Sequence, residues 1–445
     1  MAVTSAAADE LALAEQPDAA EKKSLRRAVA GACAGALMEY YDFSIYASLT
    51  IYLSLNFFPP DNPTVAVLLA VSSMGVAFVI RPLGGIVFGA LGDRIGRKKI
   101  FIATLLLMSF ATIGVGVLPG YATIGIAAPI ILVGMRICQG LAVGGEYAAA
   151  STYVVEHSPA HKRGYYAGWL ASMASSAIVL SLMVVWLTQT SMSREAFEQW
   201  GWRVPFLLAI ILLGFSLYLR VRLRESPIFT RLERAGRKAH SPLAQAFKDR
   251  KALGEILAVS IGICSPQITS GVVGSMLALY FLQTMTNADP AMANLLIAGG
   301  CVTAIPSTVF AGWLSDRYGR RTIQVAGMLL GVLGYIPLFY ALVASHESVW
   351  LSLLIIAALQ VPSSLIVGAA FSAVPEIFPA ERRTTSVALA FSFGGIVGGL
   401  APAVSLWLAD RGGLLWGAAW PVAILAVGMI VNLLWVPSRT GANID

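Results

Sequence analysis

The stretch Gly89-Ala-Leu-Gly-Asp93-Arg94-Ile-Gly96-Arg97-Lys98 returns 223 positions later as Gly312-Trp-Leu-Ser-Asp316-Arg317-Tyr-Gly319-Arg320-Arg321. That offset is about half of the 445-residue chain, and both copies sit between long apolar segments. A charged, glycine-bearing turn repeated at half-length indicates a duplicated chain and marks where each half meets water. A second pair of elements agrees. Glu156 and Arg163 follow one apolar segment; Glu376 and the pair Arg382-Arg383 follow another. Glu156 lies 63 residues after Asp93 and Glu376 lies 60 after Asp316, so two motifs recur in one order at near-equal spacing.

The chain is 57% hydrophobic and 12% charged, with a mean hydropathy of +0.74. Soluble proteins carry about 25% charge, so this is an integral membrane protein. The apolar runs lack strand alternation, which favours helices over a barrel. Twelve spans are expected at 28–55, 64–91, 100–119, 123–155, 165–190, 204–223, 253–285, 291–314, 322–344, 348–374, 384–410 and 414–437. Each is near the roughly 20 residues that cross a bilayer. The expected organisation is a disordered tail (1–24), a first six-helix bundle (25–223), a hydrophilic central loop (224–252), a second six-helix bundle (253–437) and a short tail (438–445). The fold class is therefore an all-α membrane protein of two six-helix bundles related by a pseudo-two-fold axis.

Lys and Arg set the orientation. Of the 31, 26 fall in the two termini and the even-numbered connections, which places both termini and both repeat loops on the cytoplasmic side of the inner membrane. The net charge of +7 reflects this bias, and nucleic-acid binding is not expected. Cys33, Cys138, Cys264 and Cys301 stand singly within spans, without metal or redox spacing. No cofactor, metal or enzymatic constellation is expected.

Charges deep in membrane spans are costly and mark function. Five occur: Glu39, Asp42, Arg81, Arg136 and Glu146, all in the first half. At about 1.5 Å per residue, Glu39, Arg81 and Glu146 lie roughly 14–17 Å from the cytoplasmic ends, Asp42 roughly 21 Å and Arg136 roughly 28 Å. Arg81 can thus pair with Glu39 or Glu146. Glu39 and Asp42, at i and i+3, share a helix face. None of the four histidines is mid-span, so a carboxylate must carry any coupled proton. Asp42 is the first candidate, Glu39 the second, and Glu146 is divided between coupling and pairing. Arg136 is the anion anchor, because a guanidinium grips a carboxylate with two parallel hydrogen bonds. Arg81 shares that candidacy with a tilt towards structure. Arg203, beside Trp200 and Trp202, reads first as an interfacial anchor. In the second half, neutral groups such as Gln267, Tyr280, Gln283, Gln324, Gln360 and Asn432 are available.

The paired Gly-x-x-x-Asp-Arg-x-Gly-Arg loops resemble the signature of the major facilitator superfamily. Glu39-Tyr-Tyr-Asp42-Phe, Arg81-Pro-Leu-Gly-Gly, Arg136-Ile-Cys-Gln139-Gly, Gly144-Gly-Glu146-Tyr147, Gly201-Trp-Arg203-Val-Pro-Phe and Arg224-Glu-Ser-Pro resemble its metabolite:proton symporters. That family includes shikimate, α-ketoglutarate, citrate and proline/betaine carriers. Its members often have Trp where Tyr40 stands, and shikimate-like members where Tyr147 stands. The resemblance implies alternating access by rocking bundles. It implies a gate built from Asp93, Arg94, Gly96, Arg97, Glu156 and Arg163 with Asp316, Arg317, Gly319, Arg320, Glu376 and Arg382. Tyr41 and Tyr147, able to stack on a cyclic or aromatic acid, and Gln139 are further candidates for the substrate path, and the resemblance keeps a place on it for Arg203. The expected function is proton-driven import of a small organic acid: a mono-, di- or tricarboxylate, or a shikimate-like acid. The alternative is a zwitterionic solute such as proline or betaine; a drug/proton antiporter ranks third. The expected partners are that solute, protons and the bilayer, with the protein acting as a monomer. An Asp near a helix N-terminus of the opposite half gains dipole stabilisation. Asp93→Asn is expected to cut transport while leaving membrane insertion intact, measured as uptake against membrane-fraction abundance; normal uptake removes the gating role.

Overall fold

The computed structural model describes residues 19–59, 63–223, 225–236, 249–286, 290–438 and 441. The first bundle comprises α1 (Ala19–Phe57), α2 (Pro63–Ile95), α3 (Arg97–Val117), α4 (Ala127–His157), α5 (Arg163–Thr190) and α6 (Val204–Val221). The second comprises α7 (Arg250–Met285), α8 (Pro290–Tyr318), α9 (Arg320–Ala344) and α10 (Val349–Ile377). Its last two members are α11, from Arg383 to 412 with an interruption at Leu400, and α12, from Leu414 to Leu434. Gly413, at φ 73°, separates them. Ten described segments are long and apolar enough to span a membrane, one of which, Ala380–Leu434, holds both α11 and α12. Helix α1 makes the twelfth; it is less apolar because it carries Glu39 and Asp42.

The helix ends differ from expectation in places. Helix α1 begins at Ala19, inside the stretch expected as a tail, while residues 1–18 lie outside the described residues. The central connection contains a short helix, Pro227–Arg234, whose Ile228, Phe229 and Leu232 are buried. Its remainder, 237–248, and Arg224 lie outside the described residues, as do 439–440 and 442–445 of the C-terminal tail.

Each bundle has its own apolar core, one around Tyr41, Leu49, Leu53 and Trp202, the other around Phe281, Met328, Phe339 and Leu425. Large apolar side chains also face outward, among them Val79, Phe110, Leu333 and Trp350. In water such a surface would drive aggregation; in a bilayer it is the solvent-facing side. The bundles meet through α2 against α11 and α5 against α8, with α4 touching α10 and α11. All these seams are tight at the end carrying the two repeat loops, the motif end.

The repeat explains that approach. Its first glycine and its aspartate are four residues apart, one helical turn, and so share a face. A Cβ on Gly312 would overlap the carbonyl oxygen of Gly164, and one on Gly89 would lie 3.0 Å from Ala388. The bare glycine lets the partner helix come close enough for the aspartate to reach its backbone. The later glycines end α2 and α8: Gly96 has φ 112° and Gly319 φ 94°, a region that L side chains rarely adopt.

Helix α7 is irregular. Two π-helical turns, Ser260–Cys264 and Val273–Leu277, flank Pro266. The Ser265 hydroxyl donates to the Ser260 carbonyl at 2.9 Å, and Gln360 Nε2 donates to the Gly274 carbonyl at 3.1 Å. Side chains thus serve carbonyls that the widened ladder leaves free.

Gly312→Val is expected to force α5 from α8, costing about 1–3 kcal/mol by overpacking, and to lower uptake at least roughly tenfold. A Cβ at Gly75 meets nothing within 4 Å, so Gly75→Ala serves as control. Equal melting temperatures and uptake for the two variants would refute the close-approach argument.

Candidate functional site

Buried polar groups form two layers, an outer one between the bundles and an inner one centred in the first bundle. The outer layer, at the motif end, is ionic. Asp93 at the end of α2 accepts the backbone N–H groups of Thr384 (3.2 Å) and Thr385 (2.8 Å) and the Thr385 hydroxyl (2.7 Å). These are the free donors of the first turn of α11, in the other bundle. Asp316 does the same for α5, accepting from Gly164 and Tyr165, each at 2.8 Å. Each aspartate therefore caps a helix of the opposite half, satisfying its amides and its dipole together.

Glutamates complete the layer. Glu156 takes Arg383 of the second bundle at 2.7 Å and Arg97 of its own at 3.4 Å. Glu376 takes Arg163 of the first bundle at 3.7 Å and Arg320 of its own at 3.1 Å. Seven of the eight side chains in the two capped, cross-paired sets are at most 7% exposed; the eighth, Asp316, is intermediate. Exposed pairs contribute about 0–1 kcal/mol; for buried ones, removing one partner costs about 3–5 kcal/mol.

Three expected gate residues stand elsewhere. Arg383, not Arg382, reaches Glu156; Arg382 lies 3.9 Å from Glu255 at the start of α7. The turn Ala380–Arg382 matches Ala160–Lys162 of the first half, so Arg383 stands where Arg163 does, as the first residue of its helix, and is buried. Arg94 is exposed and in no ion pair, and Arg317, also exposed, lies with its guanidinium 4.1 Å above the Trp313 ring. Both follow the capping aspartate by one residue, about 100° around the helix. The connection after α6 joins the gate unexpectedly. Glu225 accepts the N–H groups of Arg97 (3.0 Å) and Lys98 (3.2 Å), capping α3, and the Ser226 hydroxyl donates to Glu156.

The inner layer lies on α1 and α4. Asp42 accepts from Arg136 Nη1 at 3.4 Å and from Gln139 Nε2 at 2.7 Å, and Gln139 Nε2 also reaches the Thr112 hydroxyl at 3.2 Å. The Arg136 guanidinium lies 3.7 Å above the Tyr46 ring. Arg136 is 3% exposed, yet its Nε and Nη2 have no partner, and neither has Gln139 Oε1. One turn nearer the motif end, Glu39 is 5% exposed and accepts no hydrogen bond. Beside it Tyr40 meets Tyr147 edge to face at 5.8 Å, and Tyr147 meets Phe371 (6.0 Å) and Phe391 (5.7 Å) of the second bundle. This aromatic contact crosses between the halves.

The expected pairing of Arg81 is replaced. Glu146 bonds Arg220 of α6 and accepts the Thr104 hydroxyl at 2.6 Å. Arg220 is fully buried; its Nε donates to the Gly31 carbonyl at 3.3 Å and its guanidinium lies 3.5 Å above Phe101. Arg81 makes no ion pair, stacks on Phe78 at 4.0 Å and acts on Glu39 only through space. The second bundle has a neutral counterpart: Asn432 Nδ2 donates to the Gly262 carbonyl and to Gln324 Oε1, each at 3.1 Å. Two expected substrate contacts serve architecture. The Tyr41 hydroxyl donates to the Pro205 carbonyl at 2.8 Å, joining α1 to α6. Arg203 Nη2 donates to the Leu118 carbonyl at 3.0 Å, at the end opposite the motif loops.

Two internally similar helical bundles, an ionic layer joining them at one end and charges buried within the first bundle fit a secondary transporter. The chain belongs to the major facilitator superfamily. The family described as "Sugar (and other) transporter" matches residues 28–258 and "Major Facilitator Superfamily" matches 259–444. The chain is 35% identical to the glycine betaine/proline/ectoine/pipecolic acid transporter OusA of Dickeya dadantii, covering 92% of this chain and 83% of that one. It is 33% identical to the shikimate transporter of Escherichia coli K12, covering 84% and 85%. Among solved structures, the proton:xylose symporter XylE bound to 6-bromo-6-deoxy-D-glucose superposes with a TM-score of 0.78 at 18% identity, covering 95% and 98% of the two chains. That likeness shows the fold.

Glu146→Gln or Arg220→Met alone is expected to destabilise by about 3–5 kcal/mol, because a buried charge is stranded. Glu146→Leu with Arg220→Met should recover most of the loss. Thermal melts of the purified variants test this; a double variant no better than the singles assigns Glu146 a role beyond pairing.

Proposed function

We propose that the protein is a proton-coupled symporter that imports a small carboxylate-bearing solute. The observation carrying this reading is Arg136: buried mid-helix, bound to Asp42 by one nitrogen, with two nitrogens unpartnered. A buried unpaired donor costs about 1–3 kcal/mol, and a carboxylate approaching Nε and Nη2 would satisfy both. The solutes named for the relatives, proline, betaines and shikimate, all bear a carboxylate.

Coupling follows from Asp42. While ionised it neutralises Arg136. A proton on Asp42 removes that charge and leaves the guanidinium for the substrate. Proton and carboxylate then bind cooperatively, with a coupling of about 1–3 kcal/mol, or roughly 5–150-fold. Loss of substrate and proton on the other side restores the pair. Glu39, unpartnered and one turn nearer the motif end, is the second proton site. In this reading both termini and the motif end face the cytoplasm of an inner membrane, supported by the Lys/Arg bias, and the gate is shut on that side.

A zwitterionic solute is the second reading. OusA and the proline/betaine transporters match 92% of this chain, and Glu39 beside the tyrosine pair offers a negative group and aromatic faces for a cationic head. The test is a thermal-shift screen against carboxylates, betaines and cationic drugs, followed by uptake into liposomes under an imposed pH gradient. Carboxylate hits with gradient-driven uptake are expected. Asp42→Asn should retain binding, lose its pH dependence and abolish uphill accumulation; Arg136→Gln should lower affinity by roughly tenfold or more. Uptake indifferent to the gradient refutes symport, and stabilisation by cations alone overturns the carboxylate.

A further inference from the structure

On the membrane-facing side of the seam between α5 and α8 lies an open groove of about 390 Å³. Tyr165 and Trp169 form one wall; Pro306, Val309, Phe310 and Trp313 form the other. The walls come from different bundles. Trp169 is 40% exposed and Phe310 57%, so these rings meet hydrocarbon rather than core. The groove belongs neither to the buried site on α1 and α4 nor to the ionic layer, but it adjoins the latter: Tyr165 supplies one of the amides that Asp316 caps.

The charge at its motif end is one-sided. Arg317, on the helix turn after Trp313, is exposed, lies 4.1 Å above that ring and has no carboxylate partner among the described residues. Lys162, exposed and in no ion pair among the described residues, ends the 3₁₀ turn two residues before Gly164. The acids nearby are already engaged: Asp316 holds α5 and Arg320, and Glu376 holds Arg163 and Arg320. One cation from each bundle, three or four residues from a ring that lines it, therefore lies at the motif end of an apolar groove that spans the seam.

We propose that this groove binds an anionic phospholipid, one acyl chain lying along Trp169, Phe310 and Trp313 and the phosphate meeting Arg317 and Lys162. A free anion leaves the apolar walls unused, and a neutral lipid leaves the two cations unpaired. An acyl chain gains little by leaving other acyl chains, since hydrocarbon surrounds it in either place. The headgroup charge thus decides occupancy, and the site discriminates between lipids by charge. Because its walls move apart when α5 leaves α8, a bound lipid favours the state in which the motif end is shut, by its differential affinity for that state.

The test uses the full chain purified in a neutral detergent. Melting temperature is followed while phosphatidylglycerol, phosphatidylcholine of the same acyl chains, or inorganic phosphate is added. Phosphatidylglycerol alone is expected to raise Tm, saturably and by about 2–4 °C. Arg317→Gln with Lys162→Gln should abolish that rise. Arg94→Gln, which removes the exposed arginine at the equivalent position of the first repeat, should retain it. Three results overturn the proposal: an equal rise with phosphatidylcholine, a rise with phosphate alone, or the same response from the Arg317/Lys162 and Arg94 variants. A groove occupied instead by a second copy of the chain would show as a dimer that phosphatidylglycerol does not dissociate, which also overturns it.

Discussion

The first amides of a helix have no partner within it, and inside a membrane protein there is little water to supply one. At the motif end that need is met across the interface. Asp93 serves α11 and Asp316 serves α5. Much else at this end follows from those two contacts. The glycines one turn earlier exist so that the helices can come close enough, and the left-handed glycines after them stop α2 and α8 so that α3 and α9 can start. Arg97 and Arg320 flank the capping carboxylates at 3.5 and 2.7 Å. Because each bundle both gives a cap and receives one, neither aspartate alone defines closure.

A contact that gates a transporter, the role proposed for the ionic layer, must hold and also let go. Buried ion pairs suit this because their attraction is set against a large desolvation cost. Glu156 with Arg383, and Glu376 with Arg163, strand a charge if one partner is removed. If both partners enter water together, hydration returns what the pairing loses. The network is therefore specific in geometry yet close to balanced in free energy. The aromatic contact of Tyr147 with Phe371 and Phe391 behaves differently, since its separation exposes apolar area with no compensating hydration. The contact between the bundles thus rests on an ionic layer that fixes register and an aromatic layer that favours contact.

The repeat, the spans and the capping aspartates were readable because hydropathy and a half-length repeat are properties of the chain alone. Asp42 and Arg136 were readable because a charge amid apolar residues is visible without knowing its neighbours. The partner of Glu146 was not. Arg220 closes an apolar run beside further arginines and so reads as a loop charge; only the docking of α6 against α1 and α3 reveals that it points inward. Arg382 and Arg383 differ by one position, and the start of α11 decides between them. Tyr41 and Tyr147 look alike in sequence, but one ties two helices of a single bundle and the other faces the opposite bundle. Which face of a helix is internal depends on packing that a charge pattern does not encode.

The two bundles are joined internally by different chemistry. In the first, Arg220 bonds Glu146 and the Gly31 carbonyl; in the second, Asn432 bonds Gln324 and the Gly262 carbonyl. Amides neither gain nor lose a proton in the biological range, so the second bundle's joint is blind to acidity. Among the described residues, the second bundle's buried carboxylate, Glu376, lies in the ionic layer, whereas the first bundle also buries Glu39, Asp42 and Glu146 deeper along its helices. On the proposed reading, sensing of the proton gradient falls to the first half, and the second serves as the surface against which it moves.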